Sequence, residues 1–308
     1  MTTAASLALA PRAATVGDFL TLLKPRVMSL VVFTGLAGIA VAAPHPDGLT
    51  AIVALLCIAV GAGASGALNM AYDADIDALM SRTASRPIPL KAVTPEDALA
   101  FGWTLAGGAV MVMALFVNFL AAGLLALSIA FYVFVYTLWL KRRTPQNIVI
   151  GGLAGALPPA IGWAAVTGNL SAAPLALVII IFLWTPPHFW ALSLFRCDDY
   201  ARARVPMLPV ARGKRETRRQ IFLYAVSLVP AGFLPILAGV GGAAYAGVAS
   251  TFSLAMLWQA WRVTKETDET KEPQARKLFG ISIVYLFALF ATLIGEQLAG
   301  ISPLRAWM

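Results

Sequence analysis

Nine apolar stretches of about twenty residues, separated by short polar connections, leave this 308-residue chain few architectures to choose from. They fall near 24–43, 49–71, 98–118, 121–140, 147–166, 174–195, 220–240, 244–262 and 278–298. A run of ~20 apolar residues matches the hydrocarbon thickness of a bilayer when helical, and a helix satisfies its own backbone polar groups in lipid. The expected fold is therefore all-α, a polytopic membrane helix bundle of about nine transmembrane helices. Composition agrees: 59% of residues are hydrophobic and only 12% are charged, against ~25% charged in soluble domains. Residues 1–18 read as a flexible N-terminal tail, 19–302 as a single transmembrane domain and 303–308 as a short C-terminal tail. The two cysteines, Cys57 and Cys197, offer no disulfide framework, haem-attachment motif or zinc spacing.

Charge supplies an orientation. In a soluble chain the net charge of +8 would suggest nucleic acid, but 22 of the 23 basic residues sit before the first span or in the even-numbered loops. The positive-inside rule then puts the N-terminus and these loops in the cytoplasm and the C-terminus outside. That predicts a multi-pass protein of the cell's inner (plasma) membrane, with the lipid bilayer as its setting and no nucleic-acid partner.

The strongest chemical signal closes the second span, in NMAYDADID at 69–77. Asn69, Asp73 and Asp77 recur every fourth residue and share one helical face, drifting ~40° per step. Asp75 points elsewhere. Stacked carboxylates and an amide are hard oxygen donors suited to Mg²⁺, especially with phosphate oxygens completing the shell. A solvated helix end, or ion pairs with Arg82 and Arg86, would produce the same spacing. Those two arginines suit bidentate phosphate contacts, although the orientation signal alone needs their charge. A second acidic pair, Asp198 and Asp199, closes the sixth span on the same face and is followed by Arg202 and Arg204. Two arginine-rimmed acidic clusters at one membrane surface suit a metal–diphosphate group whose remainder lies among apolar helices. Lys24–Pro25–Arg26 and Lys141–Arg142–Arg143 border that surface. His188, in WTPPHFWALS, sits at membrane depth; axial ligation of haem iron, proton transfer and a bond between helices all remain open for it. His45, in the outer loop HPDG, reads as a surface residue. Paired prolines, Pro158–Pro159 and Pro186–Pro187, suggest helices opened around a cavity, and the glycines of the spans suggest close helix packing.

Asn69-xxx-Asp73-xxx-Asp77, followed by Met80-x-Arg82-Thr83-xx-Arg86-Pro87, resembles the first aspartate motif of the membrane-embedded UbiA-type prenyltransferase superfamily. KPRV at 24–27, YTLWLKRRTPQNIVIGG at 136–152, GALPPAIGWAAVTG at 155–168, WTPPHFWALSL at 184–194 and DDYARARVPMLPV at 198–210 resemble its haem-farnesylating branch. The likeness covers most of residues 20–210, and beyond them only hydropathy and loop charge correspond. One departure concerns the second motif: at the offsets where the wider superfamily often repeats its aspartates, Asp198 and Asp199 are followed by Arg202 and Ala203.

The resemblance implies a bundle around a central cavity and Mg²⁺-dependent transfer of farnesyl from farnesyl diphosphate to the 2-vinyl group of haem B, with water added. It implies that Asn69, Asp73 and Asp77 hold one Mg²⁺ and that Asp199, with Asp198, holds a second. Arg82, Arg86, Lys141, Arg142 and Lys24 would hold diphosphate, and His188 would lie at the haem. A haem A synthase or terminal-oxidase assembly partner is implied in the same way. The competing readings are prenylation of an aromatic quinone precursor, transport of a lipid diphosphate and a non-catalytic assembly factor.

Overall fold

A computed structural model describes residues 13–42 and 46–304. His45, most of the expected N-terminal tail and residues 305–308 lie outside it. The described part is all-helical, without strands. α1 (Val16–Leu22) starts inside the stretch 1–18 expected as a tail. Its Thr15 side chain accepts from the Asp18 amide while Asp18 accepts from the Thr15 amide, a reciprocal capping box that satisfies two otherwise orphaned donors.

The following helices are α2 (Pro25–Ala42), α3 (Gly48–Tyr72), α4 (Ala74–Leu79), α5 (Pro95–Phe116) and α6 (Phe119–Ala130), the last continuing as a π-helical segment (Phe131–Leu140). Then come α7 (Asn147–Ala156), α8 (Pro158–Thr167), α9 (Ala172–Phe195), α10 (Cys197–Arg202), α11 (Leu208–Ala231), α12 (Leu234–Leu237), α13 (Ala243–Thr264) and α14 (Pro273–Leu298). Local chemistry sets several boundaries. Asp47, Thr94 and Asn118 each cap the helix that follows through a side-chain oxygen. Pro158 stands at the first position of α8 and divides the fifth expected span at Leu157, where a proline is tolerated. Pro186 and Pro187 lie inside α9, which continues past them.

Among the described residues, eight helices are long and apolar enough to cross a membrane. The stretch expected at 244–262 is a 22-residue helix, α13, but is not among those eight. Its polar side chains account for that, and several of them are hydrogen-bonded. Ser250 and Thr251 donate to carbonyls one turn back, and Gln259 donates to the carbonyl of Gln274 on α14. At the other end of α13, Glu296 of α14 accepts from the amides of Gly242 and Tyr245, so the two helices run antiparallel over the whole length of α13. The seventh span also differs from expectation: α11 begins at Leu208 rather than near 220, with a kink at Gly213 (φ 80°).

Successive long helices pack as neighbours, and α14 returns to pack against α2. The bundle is thus a closed ring. Its tightest approach joins α2 and α8, where a β-carbon on Gly162 would lie 2.2 Å from the Gly35 carbonyl oxygen, a contact that small residues alone permit. Outward faces carry exposed Leu115, Phe116, Phe119 and Phe287, as a lipid-facing surface requires.

Candidate active site

The ring encloses a cavity of about 740 Å³. Its mouth carries Lys24, Arg26, Arg82, Arg86 and Lys141 beside Asn69 and Asp77, and its interior walls include Tyr132, Tyr136, Trp184, His188 and Phe279. Ordinary ligand sites have this size and this mixture of apolar walls with few polar groups.

Asn69 is the hub of the mouth. Its amide donates to Asp73 Oδ2 at 2.6 Å and to Thr137 Oγ1 at 3.1 Å, while its Oδ1 accepts from Lys24 Nζ at 2.9 Å. Asp73, which ends α3, is buried and ion-paired with Lys141. Asp77, on α4, is buried and paired with Arg86 at 2.5 Å. The helix breaks at Asp73 (φ −100°, ψ 14°), yet all three side chains remain buried together because α4 resumes at once. Asp75 does point away: it is exposed and takes both terminal nitrogens of Arg142 at 2.7 and 2.8 Å. That pairing holds its carboxyl below the usual carboxylate range, while Asp75 in turn raises the Arg142 guanidinium. Arg142 thus faces a separate outer pocket with Arg202 and Arg204, approaching Asp73 only to 3.7 Å.

Lys24 occupies the left-handed backbone region (φ 51°) between α1 and α2, a costly conformation for a residue with a β-carbon and one that concentrates at functional sites. Burial, then the charges of Arg86 and Lys141, push its amine down to about 7, against a partial opposing pull from Asp77 and Asp73. Two carboxylates thus stand among five basic side chains, Lys24, Arg26, Arg82, Arg86 and Lys141, and the mouth has spare positive charge for an anion.

The π-helical segment shapes the wall. Thr137 donates back to the Tyr132 carbonyl, five residues away, and its Oγ1 meets Asn69. Tyr132 and Tyr136 stand 5.2 Å apart, both on the cavity. A β-carbon on Gly151 would lie 2.2 Å from the Tyr136 ring, so α7 can approach that ring only with glycine there. Long π-helical runs are rare and recur at functional sites.

The second acidic pair behaves differently from the first. Asp199 is buried but does not line the cavity. It accepts from Ser81 Oγ at 2.8 and 3.0 Å and pairs with Arg202, with Arg196 at 3.9 Å. Asp198 is exposed. Asp199 is therefore tied through Ser81 to the loop after α4, which also carries Arg82 and Arg86, and Tyr200 takes the place on the cavity wall.

His188 lies between the rings of Trp184 and Phe279, at centroid distances of 4.3 and 4.5 Å and nearly parallel to both. Its Nδ1 meets Ser282 Oγ at 2.7 Å. The α14 side chains Phe279, Ser282 and Phe287 were invisible to sequence reasoning, because no motif marks that helix. Thr137 and Ser81 were missed for the same reason: a lone hydroxyl carries no pattern.

The oxygen donors Asn69 Oδ1, Asp73 and Asp77 fit a divalent cation. Each faces a cationic nitrogen, and Asp73 Oδ1 is buried with no hydrogen-bond partner. Among the described residues no three His, Cys, Asp or Glu side chains form a complete metal cage. Mg²⁺ commonly uses one or two carboxylates and takes the rest of its shell from water and substrate phosphates.

A match to the UbiA prenyltransferase family spans residues 31–294. The protoheme IX farnesyltransferase of Azorhizobium caulinodans is 58% identical, over 96% of this chain and 97% of its own. A solved digeranylgeranylglyceryl phosphate synthase shares the fold at a TM-score of 0.76 and 17% identity, over 92% of this chain and 99% of the other. A UbiA homologue from Archaeoglobus fulgidus, bound to DMAPP and Mg²⁺, superposes at 0.65 with 16% identity over 90% and 99%. The chain belongs to the UbiA prenyltransferase family and, within it, to the protoheme IX farnesyltransferases: it is a multi-pass membrane prenyltransferase.

Proposed function

We propose that the enzyme transfers farnesyl from farnesyl diphosphate to the 2-vinyl group of haem B, adding water to give haem O and diphosphate. The observation that carries this reading is the junction of a cation-rich mouth with an aromatic-walled cavity inside one helix ring. The name of the Azorhizobium relative supports haem as the acceptor.

Asn69, Asp73 and Asp77 would hold Mg²⁺ at the mouth, and Asp199 with Asp198 are the proposed carboxylates for a second ion. The bound metal would supply Lewis-acid neutralisation of the departing diphosphate. Lys24, Arg82, Arg86 and Lys141 bind the phosphate oxygens and stabilise the charge that develops as the carbon–oxygen bond breaks, with Arg142 completing the positive rim. The isoprenoid chain lies inward, where Tyr132, Tyr136 and Trp184 offer ring faces to an allylic cation and the apolar walls exclude bulk water. His188 lies beside the haem. The basic end is proposed to face the cytoplasm and the C-terminus the exterior of the inner membrane, with haem O passing to a haem A synthase or terminal-oxidase assembly partner.

The test is mass spectrometry of detergent-purified protein supplied with haem B, farnesyl diphosphate and Mg²⁺, beside Asp73→Asn and a chelator control. Farnesylated, hydrated haem lost in both controls is the expected result. Prenylation of a quinone precursor in place of haem would overturn the acceptor, and diphosphate binding without release would make the protein a carrier.

A further inference from the structure

Addition of water to a carbocation releases a proton, and few groups on the cavity wall can take it. The hydroxyls of Thr34, Ser65, Ser128 and Thr185 line the cavity but each already donates to a backbone carbonyl, and a neutral hydroxyl is a poor base. Asp77 and Lys24 belong to the cationic mouth, the one paired with Arg86 and the other bonded to Asn69. His188 sits apart from it, seven residues in from the end of α9 at Phe195, or ~10 Å along the helix axis.

The hydrogen bonds around His188 determine which nitrogen carries its proton. Ser282 Oγ donates to the Phe279 carbonyl at 2.7 Å, so its hydrogen is committed and the oxygen can only accept from His188. On that pairing we assign the proton to Nδ1 and the free lone pair to Nε2. Ser282 grips this region a second time, its carbonyl accepting from Trp184 Nε1 at 2.7 Å. With Trp184 and Phe279 on its two faces, the ring cannot turn to exchange its nitrogens without separating α14 from α9.

We infer that His188 Nε2 is the base that takes the proton from the water that adds to the haem-side cation, and that Ser282 is the positioning residue that keeps Nε2 unprotonated. This deepens the proposed haem farnesylation and rests on it. In the step, the C1–oxygen bond breaks with its electron pair leaving on diphosphate, and the vinyl π pair forms the new carbon–carbon bond. An oxygen lone pair of water then bonds the resulting cation, and the proton shed by that oxonium goes to Nε2. The imidazolium returns it to water as product leaves. Without the base, the cation is instead relieved by loss of a neighbouring C–H proton, giving a farnesylated haem that carries an alkene and no hydroxyl.

The experiment measures, for wild type, His188→Gln, Ser282→Ala and Ser282→Thr, diphosphate release, the ratio of hydroxylated to unhydroxylated farnesyl haem in isotopically labelled water, and the absorption spectrum of bound haem B. His188→Gln should lower the hydroxylated product about 100-fold, the lower end of what a positioned base contributes. A size-exclusion profile in detergent that matches wild type shows that the variant is folded. Ser282→Ala should shift the ratio about fivefold in the same direction, as the loss of one neutral hydrogen bond allows, and Ser282→Thr should restore it. An unchanged ratio in His188→Gln overturns the inference, as does a shifted haem spectrum with the ratio intact, which would make His188 an iron ligand. A wild type that forms no farnesylated haem refutes the haem reaction itself, and this inference with it.

Discussion

Replacing Gly151 by alanine adds one carbon where there is no room. The new β-carbon would lie 2.2 Å from Tyr136 Cδ2 and 2.8 Å from its Cγ. The ring cannot simply step aside, because Tyr132 stands 5.2 Å away on the same wall. Overpacking of this kind costs ~1–3 kcal/mol, while alanine regains up to ~1 kcal/mol of helix propensity over glycine. The net loss of stability is then at most about 2 kcal/mol, and the protein folds. The displacement falls on the cavity wall, and about 1–2 kcal/mol of lost transition-state fit is ~5- to 30-fold in rate. Gly151→Ala should therefore lower the melting temperature in detergent by a few degrees at most while prenyl transfer falls by about that factor. Gly107→Ala on α5, where a β-carbon meets nothing within 4 Å, is the matched control and should leave the rate unchanged. Wild-type turnover in Gly151→Ala would refute the claim that the Tyr136 wall is shaped by that glycine.

Three more outcomes follow from geometry away from the cavity wall. Glu296→Gln weakens the charge-assisted cap on α13 and should cost about 1–2 kcal/mol of stability, read as a lowered melting temperature with KM for prenyl diphosphate unchanged. Glu272 is fully buried in the left-handed region (φ 48°) and pairs with Arg218 at 2.8 Å and Lys214 at 3.3 Å. Glu272→Ala leaves the buried Arg218 charge poorly compensated and should destabilise by ~3–5 kcal/mol, seen as loss of folded protein on size-exclusion chromatography. Ser81→Ala removes the hydroxyl that ties Asp199 to the loop carrying Arg82 and Arg86. It should raise KM for prenyl diphosphate about five- to tenfold, as one bond to a charged group allows, with kcat and thermal stability little altered.

The helical bundle and its basic end were legible from hydropathy and loop charge, because a bilayer imposes both on any sequence that crosses it. The convergence of Asn69, Asp73 and Asp77 was legible too, although for an incomplete reason: the spacing assumes one helix, whereas two meet at Asp73. Partner choice among charges was not legible. Arg142 turns to Asp75, and Asp199 to Ser81 and Arg202, because several cations crowd one surface and only tertiary distance decides between them. Hydropathy also misplaced the start of α11, whose first turns are polar, and overrated α13, which carries polar side chains bonded to its own carbonyls and to α14. The π-helical turn and Ser282 leave no trace in sequence, since each acts through contacts with distant elements.

Because α14 closes the ring against α2, the order of synthesis bears on when the enzyme can exist at all. Every carboxylate and every cation of the cavity mouth has been translated by Asp199, yet the wall bearing Phe279 and Ser282 waits for the last helix, which begins at Pro273. The bond between His188 and Ser282 spans 94 residues, so a nascent chain must hold an unfinished, open trough in the bilayer until translation is nearly complete. A stop codon or frameshift near residue 270 would thus preserve every recognisable motif and still yield no enzyme.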